Sequence, residues 1–116
     1  MKLSILQQDL LPALQAVSRS VGIRSTLPVL SNILLKTEGS KLKLAATNLE
    51  IGVIKFVSAE ISDEGEVTIP AKTFVEIIQS LGPVKLEIAS DNDIVQISSG
   101  SFKASINCMV ASEFPV

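Results

Sequence analysis

The sequence predicts a single α+β domain in which two short helices lie on one face of an antiparallel sheet. Alternating apolar and polar residues, interrupted by short stretches containing Gly, Asp or Asn, are typical of strands joined as hairpins, and hairpins give antiparallel pairing. Two other stretches carry apolar residues three or four positions apart. That spacing is typical of helices that bury one stripe, so each helix must pack against the sheet.

The first predicted elements are a short strand and a helix. Residues 2–5 alternate in polarity, as a strand with one buried face does. Asp9 offers an N-cap oxygen for a helix that runs to about Ser20. Pro12 then stands at the third helical position, where a missing N–H leaves no hydrogen bond unmade. The predicted buried stripe is Leu10, Leu14, Val17 and Val21.

Three strands are predicted after this helix, and four more in the second half of the chain. A Gly-containing hairpin turn is predicted at 38–40 and an acidic turn at 62–65. Gly52 suggests a bulge or a close backbone approach, in a strand that is apolar on both faces. The predicted strands are 30–37, 41–47, 49–59, 66–69, 84–88, 94–97 and 101–108.

A second helix is predicted between the strands of the second half. Pro70 and Ala71 open it, and Gly82 with Pro83 ends it. Its predicted buried stripe is Phe74, Ile77, Ile78 and Leu81. Each half therefore has the order strand, helix and three strands. We predict two pseudo-repeated βαβββ units from this order alone, because sequence identity between the halves is low.

Composition predicts one globular domain covering residues 1–116. The chain is 47% hydrophobic and 19% charged, which suits a packed core. A net charge of −2 does not by itself indicate a nucleic-acid binder, which usually carries a basic patch. There is no apolar run of about 18 residues and no signal-peptide pattern at Met1, so we expect a cytoplasmic protein that does not bind membranes. Cys108 is the only cysteine, which fits a reducing compartment.

The residue types argue against an enzyme. Histidine, tryptophan and tyrosine are absent, which removes the commonest general base and zinc ligand and the usual base-stacking platforms. Cys108 has no histidine to activate it. The best catalytic candidates are Asp91 and Asp93, whose oxygens could share a metal ion, although a polar hairpin turn explains them as well. We expect no enzymatic activity, no metal and no cofactor.

A set of short motifs spans nearly the whole chain in a fixed order. The motifs are Arg24-x-Thr26-Leu27-Pro28-Val29-Leu30-x-Asn32-Ile33-Leu34-Leu35, Thr47-Asn48-Leu49-Glu50, Ile69-Pro70-Ala71-Lys72-x-Phe74, Ser98-Ser99-Gly100 and Glu113-Phe114-Pro115. The set resembles the amino-terminal domain of the bacterial sliding clamps, the beta subunits of DNA polymerase III. Order and spacing carry the resemblance, since no single motif decides it.

The resemblance implies a DNA-clamp-like fold in which two βαβββ units are related by a pseudo-dyad. It also implies that the chain is the first of three domains, and hence a truncated product. Two full subunits would join head to tail as a homodimeric ring around duplex DNA. Such a processivity factor tethers the polymerase during DNA replication without reading sequence. DNA polymerase III and the clamp loader would bind through domains that lie outside this chain.

Contact residues follow from the same resemblance. In the family, the helices line the pore and place Lys and Arg near the phosphates. Arg24 keeps both the residue type and the motif position, so it is the strongest DNA-contact candidate. Lys72 and Arg19 are weaker candidates, since a solvated helix face explains them equally well.

The last predicted strand is expected to meet the partner subunit. Family members often have an aromatic residue where this chain has Ala104, whereas here Phe102 lies two residues earlier on the same face. The expected interface residues are Phe102, Lys103, Ala104 and Ile106.

Two other functions remain open from the sequence. One is a small protein-interaction module, without enzymatic activity, that binds a partner's strand along an exposed sheet edge. The other is a metal-assisted hydrolase built on Asp91 and Asp93. A longer natural chain would favour the clamp over the module, and stabilisation by metal ions would favour the hydrolase.

Overall fold

The structure, a computed structural model, describes residues 1–19, 32–47, 52–91 and 93–108. These ranges contain two helices and nine strands. In chain order they are β1 (Lys2–Leu6), α1 (Gln7–Ser18), β2 (Asn32–Glu38), β3 (Lys41–Thr47), β4 (Gly52–Ser58), β5 (Glu60–Asp63), β6 (Glu66–Pro70), α2 (Ala71–Ser80), β7 (Lys85–Asp91), β8 (Ile94–Ser99) and β9 (Phe102–Asn107). The predicted mixture of helices and antiparallel strands is confirmed.

The strands form two sheets, so the prediction of one sheet is wrong. Sheet I has the order β5-β1-β7-β8-β9 and sheet II the order β4-β3-β2-β6, with antiparallel pairing throughout. Nine strands side by side would span about 40 Å, whereas two adjacent helices cover about 20 Å. A single sheet would therefore leave much of its apolar face in water. In two sheets, both apolar faces share the same helices.

The two halves of the chain exchange strands. β1, from the first half, pairs with β7, and β6, from the second half, pairs with β2. Each sheet therefore contains strands from both halves, and neither half can complete a sheet without the other. α1 contacts β1, β3 and β4, while α2 contacts β6 and β9, so each helix touches both sheets.

Helix α1 begins earlier than predicted. Its first residue is Gln7, with Leu6 at the N-cap position and no side-chain cap, so Asp9 lies within the first turn and does not cap the helix. Pro12 is consequently the sixth helical residue, counted from Gln7, and not the third. The reason is tertiary, because the Gln7 backbone N–H donates to the carbonyl of Val84, at 2.9 Å, across the fold.

The predicted buried stripes are largely confirmed. Leu10, Leu14 and Val17 on α1 are each 0% exposed, and Val21 lies outside the described residues. The buried residues of α2 are Ala71, Phe74 and Ile78, whereas Ile77 and Leu81 are half-buried at its margin. Together with the inner faces of both sheets, the buried side chains form one continuous core.

The region around 59–65 differs from its prediction. β4 ends at Ser58, and residues Glu60–Asp63 form the separate strand β5, which pairs with β1 in the other sheet. The predicted four-residue turn is thus reduced to Glu64 and Gly65. Sequence alternation does not reveal the change of sheet, because both strands have the same two-residue period.

The predicted glycine turn at 38–40 is confirmed, whereas the prediction for Gly52 is wrong. Gly39, in the β2–β3 turn, has a φ of 63°, a left-handed conformation that favours glycine. Gly52 is neither a bulge nor a close approach, since the β3–β4 register is continuous and a Cβ there would lie 3.9 Å from the Ala46 carbonyl oxygen. The close approach occurs instead at Gly65, where a Cβ would lie 3.0 Å from the Cβ of Met1.

The buried stripes give a stability prediction. Leu14 and Ile78 are both 0% exposed, so replacing either with Ala should lower the free energy of unfolding by about 2–5 kcal/mol through lost packing. Lys72→Ala, on the exposed face of α2, should change it by no more than about 0.5 kcal/mol. Urea unfolding measures all three variants. Equal losses at the buried and exposed positions would show that the helix faces are misassigned.

Candidate nucleic-acid interface and free sheet edges

Two of the three candidate DNA contacts lie at helix ends. Arg19 is the C-cap residue of α1, and Lys72 is the second residue of α2. Both are exposed, and neither forms an ion pair with any other described residue. Arg24 lies outside the described residues.

The exposed surface of the two helices and their caps carries equal numbers of acidic and basic side chains. Asp9 on α1 and Glu76 on α2 are exposed, as are the cations Arg19 and Lys72. Among the described residues, the helices and their caps therefore carry two acids and two bases. The other exposed residues of α2 are polar or short. A surface of this kind can approach phosphates without holding them tightly.

β9 is the last strand of sheet I and pairs only with β8 among the described strands. Its inner face is apolar, as predicted, but it is unevenly covered: Ile106 is 5% exposed and belongs to the core, while Phe102 and Ala104 are half-buried. Lys103 is exposed on the other face. The two half-buried side chains mark the part of this edge that a neighbour could cover.

β4 is the corresponding end of sheet II and was not predicted as a site. Its described pairing is with β3 alone. Ile54 and Phe56 point away from the core and are each 53% exposed, which is unusual for large apolar side chains. The signal was present in the sequence as apolar residues on both faces of the strand. It could not be interpreted there, because a strand between two layers has the same pattern.

A shallow groove of about 580 Å³ runs beside this edge. Its floor and walls come from α1 and from residues 55–58 of β4. On the helix side the lining side chains include Pro12, Ala13 and Ala16, which are small or rigid. A partner could therefore contact this edge of sheet II through the groove beside α1 as well as through the outer face of the sheet.

Cys108 is a structural residue in this fold. Burial raises the pKa of its thiol, the negative charge of Asp93 raises it further, and a backbone hydrogen bond opposes these effects. The thiol is therefore protonated at neutral pH, which makes it a poor nucleophile. The Cys108 backbone N–H donates to the Asp93 carbonyl at 2.7 Å, so the β7–β8 turn is held to the end of β9.

The candidate acidic site does not assemble a metal-binding cluster. Asp91 and Asp93 are both exposed, and Asn92 lies outside the described residues. Within residues 1–19, 32–47, 52–91 and 93–108, no group of three or more His, Cys, Asp or Glu side chains could hold a metal ion. The same ranges contain no helix that is long and apolar enough to cross a membrane.

Comparison with known proteins identifies the family. The family model described as DNA polymerase III beta subunit, N-terminal domain, matches residues 1–116. The chain belongs to this family. The resemblance seen in the ordered sequence motifs is therefore confirmed, and the clamp-family fold can be compared with solved relatives.

Relatives in the clamp family match the chain from end to end. It is 37% identical to the beta sliding clamp of Vibrio cholerae, over 99% of this chain and 32% of that protein. It is 38% identical to the beta sliding clamp of Caulobacter vibrioides, over 100% of this chain and 32% of that protein. The chain thus spans about a third of the length of these relatives.

Solved clamp structures share the fold. The DNA polymerase III subunit beta of Pseudomonas aeruginosa, solved bound to griselimycin, superposes with a TM-score of 0.95 at 35% identity, over 100% of this chain and 32% of that one. Caulobacter crescentus pol III beta gives a TM-score of 0.95 at 37% identity, with the same coverage. The arrangement of two sheets around two helices is therefore that of the clamp family.

The state of Cys108 can be tested by alkylation. Because its thiol is buried and its pKa is raised, we expect slow modification by iodoacetamide at pH 7.5 in the folded protein and rapid modification in concentrated urea. Mass spectrometry with time measures both rates, and a short peptide containing one cysteine is the control. Folded protein that reacts as fast as the peptide would contradict a buried, protonated thiol.

Proposed function

We propose that this chain is the first of three domains of a sliding clamp, a DNA polymerase processivity factor. Two such subunits would close head to tail into a ring around duplex DNA and tether the replicative polymerase. The observation that carries this proposal is the family match over residues 1–116, together with TM-scores of 0.95 to solved clamps. The part of the relatives that extends beyond the match would supply the other two domains.

The proposed role involves no catalysis. The chain has no histidine to act as a general base, and the pKa of its only cysteine is raised, so a thiolate nucleophile is not available here. What the domain contributes is shape, a weakly charged inner surface and two sheet edges. We place the protein in the cytoplasm, where bacterial DNA is replicated. DNA polymerase III and the clamp loader would bind through the other domains.

The DNA contacts in this proposal are Arg24, Arg19 and Lys72, which would meet phosphates and not base edges. Three cations per domain, partly offset by Asp9 and Glu76, give a weak and salt-sensitive attraction. Tight nonspecific binders make roughly 6–10 phosphate contacts and lose affinity steeply with salt. Weak contacts let a ring slide, and topological closure keeps it on the DNA.

The strand orders support the proposed pseudo-repeat. Sheet II has the order β4-β3-β2-β6, and four strands of sheet I have the order β9-β8-β7-β1. In sheet II, the three strands that follow α1 are joined by β6, the first strand of the second half. In sheet I, the three strands that follow α2 are joined by β1, the first strand of the first half. Among the described strands, β5, at the edge of sheet I, has no counterpart in sheet II. β4 and β9 thus occupy equivalent edges.

Two equivalent edges suit a domain with a neighbour on each side. β9 would meet the partner subunit through Phe102, Lys103 and Ala104, with Ile106 supporting them from the core. β4, with its exposed Ile54 and Phe56, would meet the next domain of the same subunit. A sheet that continues across both boundaries covers the unpaired backbone groups at each edge.

The DNA role can be tested in the longer protein that this proposal implies. Arg24→Ala should weaken binding to duplex DNA at low salt and flatten its dependence on salt, because one phosphate contact is lost. Lys2→Ala is the matched control, since Lys2 is an exposed cation on β1, in a sheet and not on a helix. Fluorescence anisotropy across a salt series measures both variants. Identical binding by the wild-type and Arg24→Ala proteins would remove Arg24 from the interface.

Assembly gives a second test. The proposed subunit contact joins different surfaces, so this 116-residue chain alone should be mainly monomeric at micromolar concentration. Its free edges should cause only weak association at much higher concentration. Sedimentation velocity over a concentration series is the measurement. A tight dimer that persists at low micromolar concentration would favour the alternative, a self-contained interaction module.

A further inference from the structure

We propose that Gln7 is a positioning residue that sets how α1 and α2 lie against each other. Through this it would set the shape of the helical surface that faces DNA. The second step rests on the proposed function, whereas the first stands on hydrogen bonds within the fold. No feature of the sequence motifs assigns a role to this residue.

The side chain of Gln7 joins the start of α1 to the end of α2. Its Nε2 donates one hydrogen bond to the Ile78 carbonyl, at 3.0 Å, and another to the Leu81 carbonyl, at 2.9 Å. An amide nitrogen has two hydrogens, so both are used. The side chain is 6% exposed, which keeps water from competing for the same carbonyls.

These two carbonyls are poorly satisfied within α2 itself, since the Ile78 carbonyl accepts only a long bond from the Leu81 N–H, at 3.3 Å, and the Leu81 carbonyl lies at the C-cap, beyond the helical hydrogen bonds. The last carbonyls of any helix lack intrahelical partners, and many helices meet part of this need with a left-handed glycine after the last turn. α2 does not end in this way. Its C-cap residue Leu81 is extended, with a φ of −88° and a ψ of 147°, and the last turn has no basic residue. Within the described ranges, the positive-φ glycines are Gly39 and Gly100, both far along the chain from this end. Gln7 therefore acts as the cap of α2.

A backbone contact strengthens the same junction. The Gln7 N–H donates to the carbonyl of Val84, at 2.9 Å, just before β7 begins. One residue thus binds the last turn of α2 and the segment that leaves it. The start of α1 therefore lies at the end of α2, and the two helices are in contact. Arg19, after α1, and Lys72, near the start of α2, each lie at the helix end farther from this junction, so the placement of both depends on how the helices lie.

Loss of the Gln7 amide should therefore change the relative position of the two helices as well as lower the stability of the domain. Gln8 provides a matched control, because it has the same side chain on the next residue but is exposed. Gln7→Leu introduces an apolar side chain of similar size and removes this donor from both carbonyls. Gln7→Glu offers them no hydrogen bond from its side chain while it is ionised.

Unfolding by urea at several pH values tests the hydrogen bonds in the 116-residue chain. At pH 7, Gln7→Leu should lower the folding equilibrium constant about tenfold, because the part-buried Leu81 carbonyl loses this donor and the Ile78 carbonyl keeps only its long bond from the Leu81 N–H. Gln8→Leu should change it by less than about threefold. Equal effects at the two positions would overturn the capping role.

Gln7→Glu adds a pH signature. A carboxylate facing carbonyl oxygens should have its pKa raised above the ordinary glutamate value, so it stabilises the fold relative to the unfolded chain only in its protonated form. That stability should be present at about pH 4 and lost as pH rises through the folded-state pKa. Gln8→Glu should show no such loss. The elements that meet at Gln7 also carry other charged or titratable residues, namely Lys2, Asp9, Lys72, Glu76, Lys85, Glu87 and Asp91. Both Gln7→Glu and Gln8→Glu retain all of them. A Gln7→Glu profile that parallels Gln8→Glu would overturn the capping role.

Rescue and DNA binding test the positioning step. Gln7→Arg should restore most of the stability lost in Gln7→Leu, since a guanidinium donates to carbonyls and suits a helix carboxyl end.

In the longer protein, Gln7→Leu should weaken low-salt DNA binding severalfold. Val95→Ala, in the core of sheet I away from this junction, should destabilise the fold without that effect. Equal DNA binding by the two variants would overturn the positioning role. Wild-type protein that shows no salt-sensitive DNA binding would instead refute the proposed function, while the urea and pH experiments still decide the capping role.

Discussion

Packing of two short helices against the inner faces of two sheets is the interaction on which the rest of this structure depends. α1 and α2 bury one stripe each, through side chains such as Leu14, Phe74 and Ile78 that are 0% exposed. Each helix contacts strands of both sheets, so the same apolar side chains hold the helices in place and hold the sheets together. The outer faces of the helices do not pack against the sheets. They can therefore be polar, and a polar face suits the proposed approach to DNA.

The same arrangement leaves the sheets open at their sides. Closing a sheet into a barrel removes its edges, but two open sheets retain four strands paired on one side only within the described chain, namely β5 and β9 in sheet I and β4 and β6 in sheet II. Exposed Ile54 and Phe56 on the β4 edge, and half-buried Phe102 and Ala104 on the β9 edge, would be a liability in a solitary domain. In the ring that we propose they would become the contacts. The features that we expect to cause weak association of the isolated chain are those that would let the proposed ring assemble.

Charge on the helical surface is low, which suits the weak, sliding contact with DNA that we propose. Arg19 and Lys72 are balanced within the described helices and caps by Asp9 and Glu76. A strongly basic surface would bind DNA without a ring, but it would also slow movement along the duplex. In the proposed ring a small number of cations would separate the two tasks, since closure would supply retention and the cations would supply only orientation. A net charge of −2 is therefore compatible with the proposed DNA-encircling role.

The sequence by itself determined the helix stripes, most strand positions, the β2–β3 hairpin and the family, because side-chain periodicity and ordered motifs are local properties. Only the tertiary structure decided that there are two sheets, that β5 is a separate strand and that α1 begins at Gln7. These depend on partners far along the chain: β5 pairs with β1, and Gln7 bonds to Ile78 and Leu81. Gln7 and Gln8 are the same residue type at adjacent positions, yet Gln7 is buried and caps α2 while Gln8 is exposed. For the candidate site, the sequence placed Lys72 on an exposed helix face and β9 at an edge, but it missed the β4 edge, because exposure depends on which neighbours the fold brings near.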